Sequence, residues 1–133
     1  MEYWIGAVLA LGVGGFAAVM GLDRERSFYT TVAIVVAFYY VLFAAMQASG
    51  RTLGVEIAVA AGFSSLAMIG FKRNPWWVAV ALVGHGLFDL VHHRFIDNPG
   101  VPQWWPGFCG AYDVIAGVWL ALLIMNRSRK VRG

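Results

Sequence analysis

Five apolar runs, each 19 or 20 residues long, constrain this chain more than any other feature: residues 4–22, 28–47, 53–71, 76–94 and 107–126. A helix rises about 1.5 Å per residue, so each run matches a hydrocarbon core roughly 30 Å thick. The separators are charged or turn-forming: Asp23-Arg24-Glu25-Arg26, Ala48-Ser49-Gly50-Arg51-Thr52, Lys72-Arg73-Asn74-Pro75 and a longer stretch over 95–106. Inside lipid every backbone polar group must find its partner within the chain, which leaves helices or a closed barrel. The alternating ten-residue strands of a barrel are absent. The expectation is one all-α domain over 1–133, a polytopic membrane bundle of five transmembrane helices.

Composition points the same way. The 133 residues are 60% apolar and only 13% charged. A soluble domain this small keeps more polar surface than that, and a disordered chain would be poor in apolar residues. A single cysteine, Cys109, excludes an internal disulfide framework and an iron–sulfur cluster. The net charge of +3 sits in short clusters at the ends of the runs, so it speaks of orientation and not of nucleic acid. With the C-terminus inside, eight of the ten basic residues (Arg24, Arg26, Lys72, Arg73, Arg127, Arg129, Lys130 and Arg132) fall on the cytoplasmic face. N-out, C-in in the cell (inner or plasma) membrane is therefore expected. Met1-Glu2-Tyr3 offers no basic n-region, so the first run reads as an uncleaved span. Trp4, Trp76, Trp77, Trp104 and Trp105 near run ends suit the interfacial aromatic belts.

The informative residues are the ionisable ones within the runs. All three histidines lie on the fourth, in Gly84-His85-Gly86-Leu87-Phe88-Asp89-Leu90-Val91-His92-His93. At about 100° per residue, His85, Asp89 and His92 fall near 0°, 40° and −20°, with His93 farther round at about 80°. From the expected topology, Asp89 lies about 7 Å below the outer end of its helix, Asp113 about 9 Å and Glu56 about 5 Å. His85 is deepest, about 13 Å down. An isolated carboxylate in mid-membrane costs about 2.5–3.5 kcal/mol on insertion scales, so three of them should turn inward to share protons, histidines or a cation. Cys109, four residues before Asp113, shares its helical face. Pro99, Pro102 and Pro106 stiffen the loop expected to lie above these groups.

Two imidazoles with carboxylates suit a divalent metal, zinc or iron. Haem is not expected, because every histidine lies on one helix. The expected ligands are His85, Asp89, His92 and Asp113. Glu56 is a further ligand or general base, and Asp89 shares the catalytic role. His93, Asp97 and Cys109 would support these groups or gate access to them. An intramembrane enzyme acting on a lipid- or isoprenoid-like molecule follows, with membrane lipid as surroundings and a homo-oligomer as the assembly that a thin bundle invites. The alternatives are a proton- or cation-coupled transporter or channel subunit, and an accessory subunit whose polar cluster only joins helices. A conduit would have to continue inward, where only Thr30, Thr31, Ser64 and Ser65 provide polar steps.

The pattern His85-x₃-Asp89-x₂-His92-His93, followed by Asn98-Pro99, Pro102, Pro106 and Cys109-x₃-Asp113, resembles a family of small bacterial multi-pass membrane proteins of unknown function. The likeness covers about residues 84–117. It implies a membrane fold and a polar site, without an activity. The Asp-x-x-His-His piece also looks like one fragment of the histidine boxes of membrane di-iron hydroxylases and desaturases, which carry several such boxes where this chain has one.

Overall fold

The computed structural model describes residues 1–47 and 49–132, and no strand occurs among them. Helix α1 covers Glu2–Met20, α2 Arg26–Gln47, α3 Gly50–Lys72, α4 Trp76–Phe95 and α5 Trp105–Arg132, with a 3₁₀ turn at Leu22–Arg24. The boundaries have local causes. At Gly21 the backbone turns left-handed, φ 80°, and its N–H caps the carbonyls of Ala17 and Ala18, a conformation that any side chain would strain. Ser49 opens α3 by accepting the Thr52 backbone N–H at 3.3 Å. Before α4, the Asn74 side chain accepts the Trp76 N–H at 3.1 Å across Pro75.

Four helices are long and apolar enough to cross a membrane: α1, α2, α3 and α5. Helix α4 is 20 residues long but carries His85, Asp89, His92, His93 and Arg94, and so falls short on composition. Its position accounts for that polarity. It packs along α5 and α3 and also touches α2, with eight of its residues buried. Helix α5 continues to Arg132, beyond the expected end at residue 126, because arginine and lysine are good helix formers even where hydropathy falls. Arg127 on this extension donates to the Asp23 carbonyl at 2.7 Å and ties α5 to the α1–α2 link.

Burial is inverted relative to a soluble protein. The largest fully buried side chains are Leu82, His85, Glu56, Asp89 and Asp113, four of them ionisable. Val8, Phe16, Val19, Leu42 and Leu87 are exposed. Hydrocarbon surroundings reward that arrangement and water would not.

Without a hydrophobic force between helices in lipid, close contact depends on small residues. Helices α4 and α5 approach closely where Gly86 faces Gly110. A Cβ on Gly86 would stand 2.8 Å from the Gly110 carbonyl oxygen, and one on Gly110 would stand 3.1 Å from that of Gly86. His85 and Cys109 are the chain neighbours of these glycines, so a close backbone approach also lies where polar side chains meet. Helix α1 packs on α5 and the 3₁₀ turn, and among the described residues no backbone of α1 comes within 8 Å, Cα to Cα, of α2.

Candidate metal centre

His85, Asp89 and His92 are buried along the inward stripe of α4, while His93 and Asp97 are exposed. The stripe feeds two polar tiers. In the deeper one, His85 Nδ1–H donates to Asp113 Oδ2 at 2.7 Å and stands 3.5 Å from Asp89 Oδ2. The Cys109 thiol donates to the same Asp113 oxygen at 3.5 Å, one turn back along α5. One ligand atom each from His85, Asp89, Cys109 and Asp113 lies within 4.8 Å of the others, and all four residues are buried. Phe63 presses its edge against the His85 ring, 4.9 Å between centroids, which shields this tier on the α3 side.

Electrostatics limits what this tier can be. Two ionised carboxylates with oxygens within 4.8 Å of each other repel by at least about 3 kcal/mol even at an effective dielectric of about 20. That repulsion is offset by a proton on one of them, by a protonated His85, whose Nδ1 stands 2.7 and 3.5 Å from the two, or by a bound cation. Both oxygens of Asp89 and Oδ1 of Asp113 are buried without a hydrogen-bond donor. Each such acceptor costs about 1–3 kcal/mol. One proton satisfies one oxygen, whereas a cation engages several at once. The donor set of one imidazole, one thiol and two carboxylates is one that zinc accepts in tetrahedral geometry. The chain therefore holds a group of residues able to bind a metal ion.

The second tier lies seven residues along α4, about 10 Å nearer the α4–α5 loop. There His92 Nε2–H donates to Glu56 Oε1 at 2.8 Å. Asn98, from the loop, donates to Glu56 Oε2 at 3.3 Å and to the Tyr40 carbonyl at 3.1 Å, and its own side-chain oxygen accepts the Gly100 N–H at 3.1 Å. The Tyr40 ring stacks on His92, with centroids 3.9 Å apart and planes 8° from parallel. Its buried hydroxyl interacts with Asp89 first, and also with Cys109 and Glu56. Tyr40 thus stands between the tiers.

Glu56, Asp89 and Asp113, from three helices, all turn toward the interior. They do not form one cluster: Asp89 and Asp113 meet at His85, and Glu56 meets His92. Cys109 stands in the ligand group, while His92 belongs to the second tier. His93 and Asp97 line a cavity of about 390 Å³ at the loop end, together with Glu2, His92, Asn98 and Gln103. Two participants had little sequence signal. Tyr40 sits in Phe38-Tyr39-Tyr40 within an apolar run, and Asn98 in the proline-rich loop as Asn98-Pro99.

Asn98 fastens the loop to both α2 and α3. Asn98→Ala removes two donors and an acceptor, so faster amide exchange is expected over 96–104, with the α4–α5 contact unchanged. Hydrogen-exchange mass spectrometry checks this. No protein family, curated protein or solved structure matches the chain.

Proposed function

We propose that this chain is an integral membrane metalloenzyme that binds one divalent cation, zinc in preference to iron, at His85, Asp89, Cys109 and Asp113, and acts on a lipid- or isoprenoid-like molecule. The observation that carries the reading is the buried group itself, with two adjacent carboxylates and three carboxylate oxygens lacking donors. Zinc is preferred because the group offers a thiol and only one imidazole, whereas non-haem iron commonly takes two histidines. A divalent ion held by these residues would supply Lewis-acid chemistry toward a substrate oxygen. Asp89 and the Tyr40 hydroxyl are placed to hold and move a proton beside it. Glu56 and His92 form a second acid–base pair toward the loop end. A site enclosed by apolar helices favours a substrate delivered by the bilayer. N-out, C-in orientation in the cell membrane and kinship with the small bacterial membrane proteins that residues 84–117 resemble belong to the same proposal.

Elemental analysis of purified protein tests it. Wild type and His92→Ala are expected to retain about one metal ion per chain, and His85→Ala and Cys109→Ala close to none, because structural ligands contribute most of the binding free energy. Wild-type protein without metal under metal-replete expression would end the proposal. Loss of metal in His92→Ala alone would move the site to the second tier.

A further inference from the structure

A second cavity, distinct from the polar one at the loop end, opens on the side of the bundle. It measures about 430 Å³ and is formed by Leu9 and Val13 of α1, Val35 and Val36 of α2, and Trp105 and Cys109 of α5, among others. Its cause is topological. Helices α1 and α2 both lean on α5 without a close backbone approach to each other, so a slot remains between them with α5 as its floor. Polar atoms enter the lining only at Thr31, Tyr39, Tyr112, the indole of Trp105 and the Cys109 thiol. The Trp105 indole N–H is buried without an acceptor.

Resting on the metal-site reading above, we propose that this slot admits a single hydrocarbon chain of a bilayer lipid, sideways between α1 and α2, and leads it to Cys109. Three observations argue for that occupant. The slot opens in the middle of helices whose outward residues are apolar, so what reaches it from outside is hydrocarbon. Its volume is that of a pocket for one small ligand and not for a whole two-chain lipid. Its floor is continuous with the polar group, because Cys109 lines the slot and donates to Asp113. Trp105 supplies a free donor for a carbonyl or hydroxyl oxygen on the bound molecule. The polar cavity at the loop end has no such continuity: its nearest buried residues, His92 and Asn98, belong to the second tier.

The experiment uses the full chain in phosphatidylcholine vesicles containing a small fraction of lipid with a diazirine in one acyl chain. After irradiation, labelled residues are mapped by peptide mass spectrometry, and metal content is measured on the same samples. Labelling of Val36 and Cys109, both buried, above that of Val80 and Leu87, which are exposed on α4, is the expected result. Val35→Trp places an indole in the slot from a position 48% exposed, which spares the core. It should lower Cys109 labelling about tenfold, equivalent to about 1.4 kcal/mol of lost occupancy, and leave metal content unchanged. Val80→Trp should leave both unchanged. Labelling that follows exposure alone, with Cys109 unlabelled in wild type, overturns the slot whatever the metal content. Labelled Cys109 in protein devoid of metal upholds the slot and removes the metal reading.

Discussion

Asp113→Ala is expected to empty the metal centre and to destabilise the bundle by about 3–5 kcal/mol, the cost of breaking a buried ionic pair from one side. Asp113 Oδ2 receives both His85 Nδ1–H at 2.7 Å and the Cys109 thiol at 3.5 Å. Its removal leaves an imidazole, a thiol and the Asp89 carboxylate buried, with neither donor matched to an acceptor of comparable geometry. Asp113→Asn separates the causes. It keeps an oxygen for His85 but no charge for a cation, so metal is lost while about 1 kcal/mol of the destabilisation is recovered, the net worth of a neutral hydrogen bond. Reversible unfolding in detergent, with metal measured in parallel, reads both variants. Wild-type stability in Asp113→Ala would mean that the deeper tier contributes nothing to the fold.

Gly86→Leu carries the second large effect. The space that its side chain needs holds the Gly110 carbonyl oxygen at 2.8 Å and the Val114 backbone nitrogen at 3.0 Å from the Cβ position. Backbone atoms cannot rotate aside, so α4 and α5 must separate. Overpacking of this kind costs about 1–3 kcal/mol, and here it also draws His85 and Asp89 away from Cys109 and Asp113. Loss of metal together with stability is the expected signature. Gly12 and Gly62 have nothing within 4 Å of the Cβ position. Alanine at either should leave stability unchanged or raise it by up to about 1 kcal/mol, since helical glycine is costly. Equal effects at Gly86 and Gly62 would show that helix propensity, and not the α4–α5 approach, determines the outcome.

The contrast between these glycines shows what the sequence makes legible. All carry the same letter inside apolar runs, and only the packed bundle separates Gly86 from Gly62. Helix positions follow from hydropathy and punctuation because a bilayer fixes the length of each crossing, and Ser49 falls in the punctuation that separates the second run from the third, whereas the capping role of Gly21, inside the first run, appears only in the structure. The inward stripe of α4 follows from helical periodicity: His85, Asp89 and His92 are buried and His93, farther round, is exposed. Which neighbour each one meets depends on interhelical offset, a quantity absent from one-dimensional spacing. Seven residues of α4 separate His85 from His92, so a stripe that is continuous in projection serves two partners at two depths, Asp113 and Glu56. Cys109 gave only a helical face shared with Asp113, and Tyr40 gave no signal, because a tyrosine between apolar neighbours is the same letter whether it faces lipid or a carboxylate.

X-ray absorption at the metal edge of the purified wild-type chain reads the ligands at the buried group. Zinc with one sulfur neighbour at about 2.3 Å and nitrogen or oxygen neighbours at about 2.0–2.2 Å is the expected result. The sulfur shell should vanish in Cys109→Ala. A bound metal with only nitrogen and oxygen neighbours in the wild type would contradict the proposed site, because the only cysteine in the chain stands in it.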